Sequence, residues 1–400
     1  MIPMEELQKL VKTTPSKIVM LVMDGLGGIE HPDIGQTELE AAQTPNLDNL
    51  AKDSICGLSH PISPGITPGS GPAHLALFGY DPIKTTIGRG VLESLGIDFD
   101  LHKSDVAARA NFCTIDENGL ITDRRAGRIP TDQSSKLCEM LGQIEMDGAE
   151  LHVVPVSEHR FVVVLRGEGL SADLEDTDPQ SEGLAPLEVK ATSQKAAKTA
   201  ALFNQFANKA KLLLAGSHPA NMMLLRGFSQ MPDIPGFSEL YKLKSAAIAC
   251  YPMYLGLSKV VGMQTIKCAN VQQEFDTLAS VYNDYDFFYV HIKKTDSHGE
   301  DGAFGTKVEE IEKIDSLLPQ LTALDPDVIV VTGDHSTPAQ LKGHSWHPIP
   351  LMIYSKWCRK DTVHEFSESS CASGALGNLP AVDIMPLAMA NALKLNKYGA

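Results

Sequence analysis

No stretch of this 400-residue chain approaches the ~18 consecutive apolar residues that a membrane-crossing helix requires, so a transmembrane helix is excluded. Cysteine is scarce and unpatterned. The seven stand at 56, 113, 138, 250, 268, 358 and 371, with no Cys-x-x-Cys pair, so neither a disulfide framework nor a structural zinc cluster is expected. Positive charge is short too: 34 Lys and Arg face 50 Asp and Glu, and the net charge of −16 argues against a nucleic-acid or anionic-membrane partner. Internal repeats and low-complexity tracts are missing. Residues 1–17 carry Glu5, Glu6, Lys9 and Lys12 in place of an uninterrupted apolar segment, so the expectation is an untargeted protein of the reducing cytoplasm. Nothing in the sequence fixes an oligomeric state.

What is present is the material for a large core. A hydrophobic content of 43% with 21% charged residues is that of a globular protein, and the length suggests two domains. Lys17 to Met23 forms an apolar run ending in Asp24-Gly25, the pattern of a strand buried on both faces and closed by a turn. Thr44-Pro45-Asn46-Leu47 reads as an N-cap, a proline at N1 and a helix start. From about Asp105 the texture changes, with the strand Phe161 to Arg166, the acidic loop Asp173 to Pro179 and a helix over Ser193 to Lys211. The alternating βα pattern resumes with Ser245 to Tyr251 and Lys259 to Met263. It continues through the strand Phe287 to Ile292, an amphipathic helix carrying Val308, Ile311, Ile314, Leu318 and Leu321, and the strand Val328 to Val331. The strand Ile349 to Tyr354 and a helix near Leu379 to Leu395 come last. The expected fold is α/β: a mostly parallel sheet covered by helices on both faces, formed by residues 1–105 and 245–400, with a smaller α+β domain of residues 106–244 inserted.

Two features carry chemistry. The Gly/Pro-rich loop Thr67 to His74 delivers Ser70 to the start of an apolar helix, where free backbone N–H groups favour a phosphate. A serine there becomes a nucleophile only with a base or metal beside it. The second feature is a coincidence at three strand ends: Asp24, then Asp296 with His298 and Glu300, then Asp334-His335. Ligands of open α/β sheets bind beyond the carboxyl ends of strands, so these groups should share one rim. Carboxylates with neutral imidazoles suit Mn²⁺, Mg²⁺ or Zn²⁺, and two such ions ~4 Å apart would clamp a phosphoryl transfer.

Five motifs, taken together, resemble one family. Val22-Met23-Asp24-Gly25, Thr44-Pro45-Asn46-Leu47-Asp48, Gly69-Ser70-Gly71-Pro72-Ala73-His74, Asp123-Arg124-Arg125-Ala126-Gly127-Arg128 and Thr332-Gly333-Asp334-His335-Ser336 are similar, in order, to the archaeal type of cofactor-independent phosphoglycerate mutase, within the alkaline phosphatase superfamily. The resemblance implies a two-metal enzyme, Mn²⁺ first among the candidates, that interconverts 2- and 3-phosphoglycerate through a phosphoserine without bisphosphoglycerate. It also implies that Asp24, Ser70, Asp334 and His335 hold one ion, Ser70 being the nucleophile, and that Asp296 and His347 hold the other. The superfamily's Asp-x-x-x-His is broken here: Glu300 stands four residues after Asp296, and the histidine, His298, stands two after. Either Glu300 replaces the imidazole, which the spacing favours, or a shifted loop lets His298 bind.

The inserted domain should then hold the glycerate. Arg124, Arg125, Arg128, Arg160, Arg166 and Arg226 are forks for carboxylate or phosphate, with Asp123, Arg124, Arg128, Arg160 and Arg226 singled out as substrate-binding. The partner is a small phosphorylated metabolite. The alternative reading is a metal-dependent phosphomonoesterase, or a mutase for another phosphorylated small molecule. A third is a catalytically silent metal-binding protein.

Overall fold

A computed structural model describes residues 2–399. The chain divides into two compact units, Met1–Thr86 with Ile234–Ala400, and Ile87–Asp233. The boundaries expected after 105 and 244 therefore move to 86 and 233. The helix Arg89–Gly96 goes with the second unit because its Gly90 lies against the Ala107 backbone, where a Cβ would stand 2.1 Å from the carbonyl oxygen. The helix Phe237–Tyr241 goes with the first, since Tyr241 donates to the Phe78 carbonyl at 3.0 Å and Phe237 packs on Phe287.

In chain order the strands are β1 (Ile18–Met23), β2 (Ser54–His60), β3 (Val106–Ile115), β4 (Ile121–Asp123), β5 (Glu150–Ser157), β6 (Arg160–Arg166), β7 (Met222–Ser229), β8 (Ser245–Ala249), β9 (Gln264–Lys267), β10 (Phe287–Ile292), β11 (Val328–Thr332), β12 (Ile349–Ser355) and β13 (Gly377–Pro380). The first unit holds an eight-stranded sheet in the order β13-β2-β12-β11-β1-β10-β8-β9. β1, β10, β11, β8 and β9 run parallel, whereas β12 is antiparallel to both β11 and β2. All six residues of β1 are buried, as a central strand covered on both faces requires. Val19, Leu21 and Met23 share a core with Phe275 and Leu278 of the helix Val271–Val281 and with Ile311, Ile314 and Leu318 of the helix Phe304–Thr322.

The direction of β12 decides which loops share a rim. Running against its neighbours, it starts at the rim where β1, β10 and β11 end, and β2, antiparallel to it, ends at that same rim. Loops leaving β1, β2, β10 and β11 and the loop entering β12 therefore all open on one edge of the sheet.

Three local readings change. Residues 259–260 close the helix Pro252–Val260, and the strand begins at Gln264. Residues 54–60, left unassigned above, form β2 and pair between β12 and β13. The last helix is shorter than expected, Ile384–Asn391, because β13 takes up the segment before it.

The second unit is antiparallel: β6 and β7 flank β3, with β5 beyond β6 and β4 paired to the end of β3. Strand alternation sorts its side chains cleanly. Val106, Ala108, Ala110 and Phe112 of β3, Phe161, Val163 and Leu165 of β6, and Met223 and Leu225 of β7 enter one core with Phe203 and Phe206 of the helix Ala197–Leu214. The intervening positions, among them Arg109, Asn111, Arg160 and Arg226, take the other face.

Candidate active site

At the rim of the first unit, Asp24, Asp334 and His335 are fully buried and Asp296 nearly so. Asp24 comes directly after β1, and Asp24 N–H still donates to the Ile292 carbonyl of β10 at 2.9 Å, extending the parallel ladder one residue. Gly25 then turns at φ +61°, where a Cβ would stand 2.6 Å from Thr337 Oγ1 and 2.8 Å from Asp296 Oδ1, so the Asp-Gly pair is required by both conformation and space. His335 Nε2 lies 3.2 Å from Asp24 Oδ1, 3.2 Å from Asp334 Oδ2 and 3.9 Å from Asp296 Oδ1.

These donors form two groups, Asp24-Asp334-His335 and Asp296-His335-His344, with ligand atoms within 4.8 Å of one another in each. Asp24 Oδ1, Asp334 Oδ2 and His335 Nε2 are buried with no hydrogen-bond partner among the described residues. Stranding such atoms is costly unless they share a cation, so the donor set fits a divalent ion. The site's own field agrees. Burial pushes the His335 imidazole down, but Asp334, Asp24 and Asp296 raise it to about 9, and a field that draws a proton there draws a metal cation too. Burial and Asp334 push Asp24 up, yet His335 and His291 hold it below the ordinary carboxylate range. Asp334, likewise pushed up by burial, is brought down by His335, His74 and the Gly25 N–H.

Ser70 opens the helix Ser70–Leu77 with Gly69 as its N-cap. Its main-chain carbonyl lies 2.8 Å from His74 Nδ1, and that nitrogen lies 3.3 Å from Asp334 Oδ2, so one buried imidazole ties the serine turn to the Asp334 loop. The buried Tyr254 hydroxyl interacts with both Ser70 and Asp24; burial, with Asp24 and Asp334, pushes it well up, while Ser70 acts in the opposite sense.

The second group corrects one expected ligand. His344 enters it, with Nε2 3.7 Å from Asp296 Oδ1 and its ring stacked 3.7 Å from that of His335. His347 does not: it is half-buried, its Nδ1 lies 3.0 Å from Ser345 Oγ, and its carbonyl accepts from Ser336 Oγ. Both histidines lie in the loop entering β12, and sequence alone offered no register to choose between them. Glu300 and His298 are separated by helix geometry. The segment Lys294–Glu300 is helical, so Glu300, four residues after Asp296, shares its face, whereas His298, two residues on, points away. Glu300 Oε1 lies 4.0 Å from His344 Nε2, and neither Glu300 nor His298 belongs to either group.

Sequence reading also passed over Lys293, His74, His291, Tyr254 and Lys307. Lys307, in the first turn of the amphipathic helix Phe304–Thr322, is fully buried and donates to the carbonyls of Gly25 and Thr337 at 2.9 Å each, bracing two of the rim loops. A lysine breaking the apolar stripe of that helix was the available signal.

The second unit carries a different site. A cavity of ≈450 Å³ is lined by Arg89, Arg109, Arg124, Arg125, Arg128, Arg160 and Arg226, with Asn111, Glu158 and His159. Arg124 grips Asp178 bidentately at 3.0 and 2.6 Å, and Arg226 stands 3.7 Å from the same carboxylate. Burial raises Asp178, but the Arg124 hydrogen bond and the Gln180 N–H bring it below its usual value. Asp123 is outside the cavity lining: its carboxylate accepts from the Arg125 and Gly127 N–H groups at 2.8 and 2.5 Å and so braces the turn that presents the arginines. Arg166 is held by Asp105 through three hydrogen bonds of 2.9, 3.2 and 2.7 Å. Arg89 and Arg109 were missed; a charged residue at an alternate position of the apolar strand β3 was the clue to Arg109.

All seven cysteines are free thiols. Among the described residues no helix is long and apolar enough to cross a membrane.

Fold and donor set together define an α/β protein with a metal-type donor set at one rim of a mostly parallel sheet. Residues 51–221 match the sequence pattern of the family described as 2,3-bisphosphoglycerate-independent phosphoglycerate mutase. The chain is 51% identical over 399 residues, 99% of each, to a Thermotoga maritima protein named "Probable 2,3-bisphosphoglycerate-independent phosphoglycerate mutase". It is 50% identical to the Aquifex aeolicus protein of the same name, covering 99% of this chain and 100% of that one. Among solved structures, the cofactor-independent phosphoglycerate mutase of Thermoplasma acidophilum superposes with a TM-score of 0.78 at 32% identity, covering 94% of this chain and 100% of that chain. The PH0037 protein of Pyrococcus horikoshii gives 0.81 at 30% identity, covering 96% and 99%. The chain belongs to the 2,3-bisphosphoglycerate-independent phosphoglycerate mutase family. It is accordingly an isomerase, an intramolecular phosphotransferase acting on a small phosphorylated substrate without bisphosphoglycerate.

Proposed function

We propose that the enzyme interconverts 2- and 3-phosphoglycerate through a phosphoserine on Ser70, with two divalent ions in the donor groups of the first unit. The observation that carries this reading is the placing of Ser70 at a helix start tied through His74 to Asp334, beside buried donor atoms that have no hydrogen-bond partner. Asp24, Ser70, Asp334 and His335 would hold one ion, and Asp296, His344 and Glu300 the other, with Mn²⁺ or Mg²⁺ favoured over Zn²⁺ by the carboxylate-rich second set. Such ions supply positive charge and Lewis acidity for phosphoryl transfer.

The rest of the chemistry belongs to the chain. The Ser70 oxygen forms a bond to phosphorus as the bond from phosphorus to the substrate oxygen breaks, and the serine proton ends on the glycerate as a hydroxyl. In the second half the other glycerate hydroxyl attacks the phosphoserine and its proton returns to Ser70, so no water is consumed. The start of the Ser70 helix offers backbone N–H groups to the transferring oxygens. Arg124 and Arg226, aligned by Asp178, and Arg128 and Arg160 are proposed to grip the glycerate carboxylate, the bidentate fork being the geometry a carboxylate matches best. Their arginine cavity distinguishes a mutase from a phosphatase, because a phosphatase needs the serine and metals but not a hold on the dephosphorylated alcohol.

The test is to load metal-depleted protein with Mn²⁺, add 3-phosphoglycerate without bisphosphoglycerate, and follow 2-phosphoglycerate and free phosphate together. Isomer without phosphate, abolished in Ser70→Ala, is the expected result. Phosphate without isomer would make the enzyme a phosphomonoesterase, and full turnover in Ser70→Ala would remove the phosphoserine.

A further inference from the structure

Lys293 stands between two carboxylates assigned to different ions. β1 and β10 are parallel neighbours with Met23 opposite Ile292, so the next residues, Asp24 and Lys293, leave the sheet side by side. Lys293 also precedes the helix Lys294–Glu300, which carries Asp296 three residues on. Its ammonium pairs with Asp24 Oδ2 at 3.1 Å, donates to Asp296 Oδ2, and lies 3.5 Å from the Tyr254 hydroxyl. The other oxygen of each carboxylate faces the imidazoles: Asp24 Oδ1 lies 3.2 Å from His335 Nε2, and Asp296 Oδ1 lies 3.7 Å from His344 Nε2. Asp24 Oδ2 also lies 3.5 Å from His291 Nε2, and Asp296 Oδ1 also accepts from Thr337 Oγ1 at 2.6 Å. In each carboxylate, then, one oxygen meets the lysine and the other faces His335 or His344.

We infer that Lys293 is a positioning residue that joins the two donor groups, fixing Asp24 and Asp296 with one oxygen on its ammonium and the other turned to the imidazoles. The inference rests on the two-ion reading above. Two buried carboxylates from different elements repel one another, and the ammonium offsets that repulsion while setting their spacing. The side chain itself is confined, with its ammonium 5.7 Å from the ring centres of both Tyr251 and Tyr254.

This role and that of a mere neighbouring charge predict opposite signs. Removing a nearby positive charge should tighten the binding of a divalent cation. Removing a bridge that aligns two ligands should weaken it, by about 10- to 100-fold on the scale of groups that orient metal ligands. Metal-free protein is titrated with Mn²⁺ by calorimetry, and the spin coupling between bound ions is read by electron paramagnetic resonance. The wild type should bind two ions per chain with a coupled spectrum. Lys293→Met and Lys293→Gln should bind at least one ion about 10-fold more weakly and lose the coupling; two variants are used so that misfolding of one leaves the other decisive. Lys293→Arg, which keeps a charged two-carboxylate donor, should restore the coupling. Equal or tighter binding with coupling intact in the neutral variants overturns the inference. A wild type that binds no pair of ions instead overturns the two-ion reading, a failure visible before any variant is made.

Discussion

The two units present opposite chemistries by opposite structural means. In the first, the functional side chains leave the ends of strands: Asp24 after β1, Asp296 after β10, Asp334 and His335 after β11, and His344 before the antiparallel β12. In the second, Arg109, Asn111, Arg160 and Arg226 stand on the faces of β3, β6 and β7, back to back with the core. Strand ends converge on a small buried volume, which suits a cation held by several donors. A strand face spreads its groups over a broad surface, which suits an anion gripped from several sides. Within a chain of net charge −16, one unit thus gathers carboxylates at a sheet rim and the other gathers arginines on a sheet face.

The sharpest way to test that division is to remove one group from each side. His344→Ala deletes a donor of the second group, and the expected result is a loss of at least about 100-fold in Mn²⁺ affinity at that site, read by calorimetry on metal-free protein. His347→Ala, three residues away and bonded to Ser345, should leave that affinity within a few-fold of wild type. The reverse ranking would restore His347 as the ligand.

That pair also marks where the sequence stops being legible. Asp24, Asp334 and His335 were readable because each comes just after an apolar run, so the strand end fixes the position of the side chain, and Asp296 because it follows the β10 run within one helical turn. The same logic found Ser70, which Gly and Pro punctuation sets at a helix start. The family resemblance pointed to His347 and passed over His344, because which of the two faces Asp296 depends on how an irregular loop meets β12, which runs against its neighbours. Glu300 shares the helical face of Asp296, as the four-residue spacing implies, yet neither it nor His298 joins a donor group. On the second unit the basic motif at 123–128 was conspicuous, yet Asp123 turned out to brace the turn, and Arg109 was hidden inside an apolar strand. β2 was missed too: it is short, puts Cys56 and Leu58 into the core, and is held by pairing with β12 and β13, which its own seven residues do not reveal.

The matching perturbation in the second unit is Arg124→Ala. It removes a fork aligned by Asp178 while leaving the first unit untouched, so kcat/KM for isomerisation should fall about 10- to 100-fold, the worth of a charge-assisted hydrogen bond or two. Phosphoserine formation on Ser70, trapped by acid quench, should persist. Loss of the phosphoenzyme in this variant would break the division of labour between the units, whereas unchanged isomerisation would remove Arg124 from the substrate site.

The last perturbation, in pH dependence and not in activity, isolates what the imidazole neighbours add to burial. Glu274, in the helix Val271–Val281 and away from both donor groups, accepts from the Cys250 N–H at 2.8 Å with one oxygen, while the other has no hydrogen-bond partner among the described residues. Burial raises its carboxyl to about 7, the opposite direction to Asp24 and Asp334, which are as deeply placed but face imidazoles. Burial alone therefore does not make a carboxylate in this protein a cation ligand; the neighbouring groups decide. Because its folded value lies above the unfolded one near 4.5, Glu274 holds a proton in the folded state that the unfolded chain has released. Its contribution is fully present below pH 4.5 and is lost as pH rises through about 7. The denaturant midpoint should accordingly fall between pH 5 and 8, with Glu274 accounting for about 2–3 kcal/mol of that change. Glu274→Gln keeps an acceptor for Cys250 without a charge to bury, so it should raise the midpoint at pH 8 and flatten the slope. An unchanged slope would show that water or a cation reaches Glu274, and with it that charge in the first unit is not confined to the rim.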